Sequence, residues 1–206
     1  MTSTDLWLSP QALILASTSA TRRLLVSAAG IPVETMDPAV DERAVEAPFK
    51  KAGASAMEVA AALARAKALA VSNRLPGRLV LGGDQTLDCD GQSFSKPADR
   101  EAAHRQLSAL AGRTHHLHAA AALARDGRIV FETVSSAALT MRAMDAAFIS
   151  RYLAAAGEAA TRSVGGYQLE ALGIHLFSDI AGDHFTILGL PLLSILPALR
   201  REAVLA

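Results

Sequence analysis

Ser17-Thr18-Ser19-Ala20-Thr21-Arg22-Arg23 follows a short apolar run and opens a helical stretch. The start of a helix presents unpaired backbone N–H groups and the positive end of a dipole, which suit a phosphate. Ser17 and Ser19 add hydroxyl donors, and Arg22 adds a planar fork that matches phosphate oxygens. The plain alternative is a serine cap followed by a solvated arginine pair. Gly82-Gly83-Asp84-Gln85 closes a second apolar run. An acid at the carboxyl end of a buried strand lies where α/β sheets place their ligands. The two glycines would let a ligand approach the backbone, and the carboxylate could hold Mg²⁺ or take a proton from water. An aspartate that merely caps a turn is the competing reading.

Three further segments carry suitable chemistry. In Ser95-Lys96-Pro97 the proline holds Lys96 in extended backbone, where its charge could neutralise a phosphate; a surface lysine is the alternative. Asp41-Glu42 pairs two carboxylates that could share a divalent cation or orient a water, or simply belong to a solvated acidic loop. Gly165-Gly166-Tyr167-Gln168-Leu169-Glu170 offers a loop able to wrap a flat ligand, with Glu170 reading a base edge. A glycine-rich turn with Tyr167 packed on the core explains the same residues. In His115-His116-Leu117-His118, the side chains of His116 and His118 share one strand face. With no cysteine or acid close in sequence, a solvated face is preferred there to a zinc site. The P-loop, the dinucleotide-binding glycine pattern and the nucleophile elbow are absent.

Composition narrows the setting. The 206 residues are 51% hydrophobic, enough to bury a sizeable interior in one compact unit. Lys+Arg and Asp+Glu are 20 each, so the net charge is zero. No global field draws the chain to nucleic acid or to an anionic membrane, and any polyanion must be gripped by a local cluster of cations. Cys89 is the single cysteine, which rules out an internal disulfide and fits a reducing cytoplasm. The opening Met1–Leu8 has no basic segment, and Ala12–Ala16 is too short for a signal or a membrane span.

The elements that must hold these residues alternate. Leu13–Ala16 reads as a buried strand, Ala20–Ala29 as a helix closed by Gly30, and Val33–Thr35 as a strand. Asp37–Pro48 reads as an acidic loop. The Ser55/Glu58 capping box starts a helix over Ala56–Val71. Leu79–Gly83 is a strand ending at Asp84, followed by a hairpin turn at Cys89-Asp90-Gly91-Gln92. Asp99 caps a helix over Arg100–Ala111. His115–Ala124 and Ile129–Met141 flank the hairpin signal Asp126-Gly127. Asp145–Ala155 is helical, Ile174–Phe177 a strand, and Leu192–Arg201 a helix interrupted by Pro197. Two hairpins within a strand–helix alternation predict an α/β fold with a mixed sheet.

The order of these segments resembles the Maf family of nucleoside triphosphate pyrophosphatases. The likeness joins Leu15-Ala16-Ser17-Thr18-Ser19 and Arg22-Arg23 to Val40-Asp41-Glu42, then to Lys67 in a helix. Gly83-Asp84-Gln85, Lys96-Pro97, Gly112-Arg113-Thr114-His115, Gly165-Gly166-Tyr167 and Gly189-Leu190-Pro191-Leu192 follow. It runs from about Leu13 to Leu199. It implies a Maf/ITPase-like α/β fold with an elongated mixed sheet flanked by helices, and two lobes with an active-site cleft. It implies metal-dependent hydrolysis (Mg²⁺ or Mn²⁺) between the α- and β-phosphates, and a homodimer. By position, Asp84 matches the proton-accepting aspartate, Glu42 and Lys96 the other catalytic charges, and Ser17, Ser19 and Arg22 the phosphate-binding turn. Asp84 and Glu42 are then the expected metal ligands.

Departures from the common pattern point to one branch. Ala20 and Thr21 replace Pro and Arg, Gln85 replaces Thr, Ser163-Val164-Gly165 replaces Lys-Ala-Gly, and Glu170 replaces Gln. This looks like the branch acting on 7-methyl-GTP, not the branch acting on dTTP and UTP, with Thr21, Gln85 and Glu170 setting selectivity. Guanine presents two adjacent donors, and a carboxylate accepts both where an amide offers one oxygen. The alternatives are a dTTP/UTP pyrophosphatase and a nucleotide-binding regulator of cell division with little catalysis.

Overall fold

The computed structural model describes residues 5–206, so Met1–Thr4 of the opening stretch lie outside the described residues. The elements run β1 (Leu13–Ala16), α1 (Ala20–Ala28), β2 (Val33–Thr35), α2 (Glu42–Lys51), α3 (Ala56–Ser72), β3 (Val80–Cys89), β4 (Gln92–Phe94) and α4 (Arg100–Leu110). Then come β5 (Thr114–Arg125), β6 (Arg128–Met141), α5 (Ala146–Ala156), α6 (Ala159–Arg162), β7 (Phe177–Ala181), α7 (His184–Ile187) and α8 (Leu192–Arg201). The strands form one seven-stranded sheet in the order β2-β1-β3-β5-β6-β7, with β4 on β3. β1 pairs in parallel with β2 and β3, whereas β3/β4 and β6/β7 are antiparallel. This is the mixed α/β sheet that the alternation predicts.

The chain divides into two compact units, and β3, β5 and β6 pass from one to the other. The first comprises the chain up to Gln85, Ala119–Ser135 and Gly189–Ala206. Its parallel strands are apolar throughout because both faces are covered, and Leu13 to Ala16 are almost fully buried. The alanine richness has a packing use here. Ala60, Ala64 and Ala68 of α3 lie on Ala120, Ala122 and Ala124 of β5. Gly82 carries the approach to its limit, since a Cβ there would stand 2.3 Å from the Ala64 carbonyl oxygen and 2.6 Å from the Ala68 nitrogen. Neither backbone atom can yield without shifting α3. Gly82→Ala is therefore expected to cost about 2–3 kcal/mol, lowering Tm by roughly 5–10 °C in a thermal melt. An unchanged melting temperature would contradict this packing.

The second unit, Thr86–His118 with Ser136–Leu188, has its own core. Leu87, Leu107, Leu110, Leu139 and Met141 are its largest closed side chains, joined by Ile149 and Tyr152 of α5.

Four local expectations are corrected. Asp37–Pro48 is not a loop throughout, because α2 begins at Glu42 with Asp41 as its cap and Pro48 inside it. Glu42 in the first turn and Lys50 and Lys51 in the last complement the helix dipole, signals that the proline masked. β3 runs on to Cys89, so Asp84 lies within the strand and not at its end. Leu172–Leu176 is a 3-10 turn, and the strand begins at Phe177. Gly173 lies so close to Gln168 that a Cβ would meet its carbonyl at 2.3 Å, a bend that an apolar run does not reveal. Finally, α8 continues through Pro197. The carbonyl this frees belongs to Leu193, which is 60% exposed, so water can satisfy it.

Candidate active site

The candidate residues of the first unit gather around the start of α1. Ser19 caps that helix, its Oγ accepting from the Arg22 backbone N–H at 3.3 Å. Ser17, buried at the end of β1, accepts from the Ser19 N–H at 3.2 Å. The half-buried Arg22 side chain folds back across this turn. Its Nε donates to the Gly189 carbonyl at 2.8 Å and its Nη1 to Ser17 Oγ at 3.4 Å. Two glycines shape its seat. A Cβ on Gly83 would press on Arg22 Cδ and Leu190 Cδ1, both at 3.3 Å. Gly189 has φ +92°, and a Cβ there would stand 3.3 Å from Gln85 Oε1. The reading that Gly82 and Gly83 open the backbone to a ligand is thus corrected, because α3 and Arg22 fill those spaces. Thr21 lies beside Arg22 in the first turn of α1.

Lys67 ties the carboxylates together. From α3 its Nζ donates to Asp84 Oδ1 at 2.6 Å and pairs with Glu42 Oε1, also at 2.6 Å. Asp84 is 8% exposed, whereas half of the Glu42 side chain is open to solvent. Burial pushes the Asp84 carboxyl above the usual carboxylate range; Lys67 and then Arg22 pull it back, and Glu42 adds a small upward push. Burial also lowers the Arg22 guanidinium, opposed by Asp84 and Glu42. Its intrinsic pKa is so high that it stays charged. Two cations and two carboxylates therefore balance beside a helix N-terminus. Such a cluster can receive phosphate oxygens on Arg22 and α1 while presenting a carboxylate that is easily protonated. The sequence places Lys67 in a helix without marking it for a role. The available signal was a lysine at the spacing of Ala60, Ala64, Ala68 and Val71, the buried stripe of α3.

Residues 12–202 match the family described as Maf-like protein. This chain belongs to the Maf family. Its relatives include a protein named nucleoside triphosphate pyrophosphatase from Nitrobacter winogradskyi, 55% identical over 202 residues and 98% of each chain. Proteins named 7-methyl-GTP pyrophosphatase are also similar. That of Brucella abortus is 52% identical over 190 residues, 92% of this chain and 96% of its own. That of Mesorhizobium japonicum is 53% identical over 188 residues, 91% and 94% of the two chains.

The other candidates of this Maf-family chain, Lys96 and Glu170, are exposed residues of its second unit. Lys96 follows β4 outside any helix or strand, and Glu170 lies on a turn after Tyr167. Tyr167 is not free to stack on a ligand. It is 4% exposed, its hydroxyl is 2.7 Å from His115 Nε2, and its ring meets Phe177 edge-on at 4.9 Å. The packed-turn reading of Gly165-Gly166-Tyr167 is the one observed. Burial lowers His115 to about 4, so it is neutral near pH 7. The expectation of a solvated histidine face is corrected at His118. That ring is buried between Asp88 (Nε2 to Oδ1, 2.8 Å) and Ser136 (Nδ1 to Oγ, 2.7 Å), and the acidic partner comes from a neighbouring strand that sequence spacing cannot reveal. Among the described residues, no group of three or more His, Cys, Asp or Glu could hold a metal, and no helix is long and apolar enough to cross a membrane.

Proposed function

We propose that residues 1–206 act as one Maf-like pyrophosphatase domain that hydrolyses a nucleoside triphosphate between its α- and β-phosphates, giving the monophosphate and pyrophosphate. The observation that carries this reading is Asp84, buried and proton-seeking, bonded to Lys67 and in the field of Arg22 at a helix N-terminus. Asp84 takes the proton of the water that attacks the α-phosphorus. Arg22, Ser17, Ser19 and the N–H groups of α1 hold the phosphate oxygens, on which negative charge grows as pyrophosphate leaves. Lys96 adds a further positive charge. Lys67 keeps Asp84 and Glu42 facing one point.

The residues fit a divalent cation. Asp84 and Glu42 supply only hard oxygen donors, both aimed at one ammonium. Mg²⁺ is commonly held by one or two carboxylates together with substrate phosphates, and Mn²⁺ takes similar donors. When bound, such an ion neutralises phosphate charge.

Arg22→Lys keeps the charge but removes the fork that spans Gly189 and Ser17. It is expected to lower kcat/KM by about 10–100-fold, mainly through kcat, in a pyrophosphate-release assay.

For the base we propose a guanine, N7-methylated as in the names of the Brucella and Mesorhizobium relatives. Thr21, Gln85 and Glu170 set the choice, and the Glu170 carboxylate accepts both adjacent guanine donors. Pyrophosphate release from 7-methyl-GTP, GTP, dTTP and UTP, with and without Mg²⁺ or Mn²⁺, tests both levels. Faster turnover of dTTP or UTP would refute the base assignment, and no release from any triphosphate would refute the reaction. The site of action is expected to be the cytoplasm.

A further inference from the structure

Glu170 is exposed, and among the described residues no cation or hydrogen-bond donor holds its carboxylate. A glutamate on a loose loop selects poorly, because ordering its rotamers and its backbone offsets the hydrogen bonds it makes. The backbone under Glu170 is closed twice over. The Ala171 N–H donates to the Gln168 carbonyl at 3.2 Å, making a four-residue turn with Leu169 and Glu170 at its corners. The Gly173 N–H donates to the same carbonyl at 3.1 Å. Leu169 packs on the core of the second unit, so Glu170 is the corner that faces out.

Both flanks of this turn are anchored. On one side the Tyr167 hydroxyl is 2.7 Å from His115 Nε2, and the Tyr152 hydroxyl donates to the Gly166 carbonyl at 3.3 Å. On the other, a Cβ on Gly173 would stand 2.3 Å from the Gln168 carbonyl oxygen and 2.7 Å from its carbon. Only a residue without a side chain lets the chain return that close. Gly173 does not have a positive φ, so this contact, and not backbone conformation, is what requires glycine. His115 Nδ1, meanwhile, is buried with no hydrogen-bond partner among the described residues. A buried orphan is destabilising, and an apolar pair of the same shape would avoid it. Such a pair would also lose the directional bond at the root of the turn. Packing alone lets an aromatic ring slide, whereas a hydrogen bond fixes its hydroxyl to one point.

We infer that His115, Tyr167 and Gly173 are positioning residues for base selection, a role that rests on the reading of Glu170 as the base selector. They fix the turn that carries Glu170, so its carboxylate is set for two adjacent donors before the nucleotide arrives. Selection then depends on buried groups behind the exposed carboxylate as well as on the carboxylate itself.

Turnover of 7-methyl-GTP and of UTP by the whole chain tests this. Tyr167→Phe keeps the ring and removes only the hydroxyl. It is expected to lower the preference for 7-methyl-GTP over UTP about three- to tenfold, through KM for 7-methyl-GTP, with kcat within about twofold and UTP unaffected. Gly173→Ala, which must displace Gln168, is expected to lower the same preference by at least as much. In a Glu170→Ala background neither substitution should change the preference further, a coupling that a merely structural role does not give. Ile149→Val in the same core is the control, expected to lower the melting temperature and leave the preference intact. If Glu170→Ala itself leaves the preference unchanged, the base assignment fails and the positioning role falls with it. If Glu170→Ala removes the preference but Tyr167→Phe keeps it in full, weakens both substrates alike, or acts equally without Glu170, the positioning role alone is overturned.

Discussion

Asp84→Asn is expected to reduce pyrophosphate release by about 10²–10⁴-fold while leaving the fold intact, the usual scale for removing a general base. The substitution keeps the side-chain volume and leaves an amide oxygen to accept from Lys67, whose ammonium also retains Glu42. Loss of rate with an unchanged melting curve therefore reports on chemistry, not on folding. Turnover within threefold of the unsubstituted enzyme would remove Asp84 from the mechanism. It would favour a protein that binds nucleotides without cleaving them.

Lys67→Met is expected to have the second largest effect, and pH reveals its origin. The working form of Asp84 is the carboxylate, so the rate falls as pH drops through its pKa. Burial has raised that pKa, which places the acid limb of the rate profile above the ordinary aspartate range. Lys67 is the strongest of the groups that oppose the rise. Replacing it by a neutral side chain of similar length moves the limb further up in pH and lowers the rate near pH 7 by about 10²-fold or more. Glu42→Gln predicts the opposite direction, because Glu42 pushes the Asp84 pKa upward, so its limb moves to lower pH. Measuring kcat/KM against pH for all three proteins tests the signs. A limb that stays in place in Lys67→Met would show that Asp84 is not the titrating group.

The same lysine explains how far the site could be read in advance. Elements with local signals were legible. The Ser55/Glu58 capping box, the Asp99 cap and the Asp126-Gly127 turn each depend on groups a few residues apart, and each lies where its chemistry placed it. Misreadings arose where local rules met tertiary context. Pro48 and Pro197 should end helices, yet one helix is supported at both ends by charge and the other frees the carbonyl of an exposed residue, Leu193. Gly82 and Gly83 signalled a close approach to the backbone, but not what approaches, which is α3 and Arg22.

By itself, the amino-acid sequence determined the alternation of strands and helices, the phosphate-suited turn at Ser17–Arg22 and the candidacy of Asp84 and Glu42, because propensity, capping and residue chemistry act over short spans. The tertiary structure alone decided that Lys67 lies between those two carboxylates, that Tyr167 is spent on His115, and that Asp88 meets His118. Each is a contact between residues 17 or more positions apart. Such pairs are set by strand order and helix packing, and in the buried ones desolvation turns an ordinary charge or hydroxyl into a committed partner.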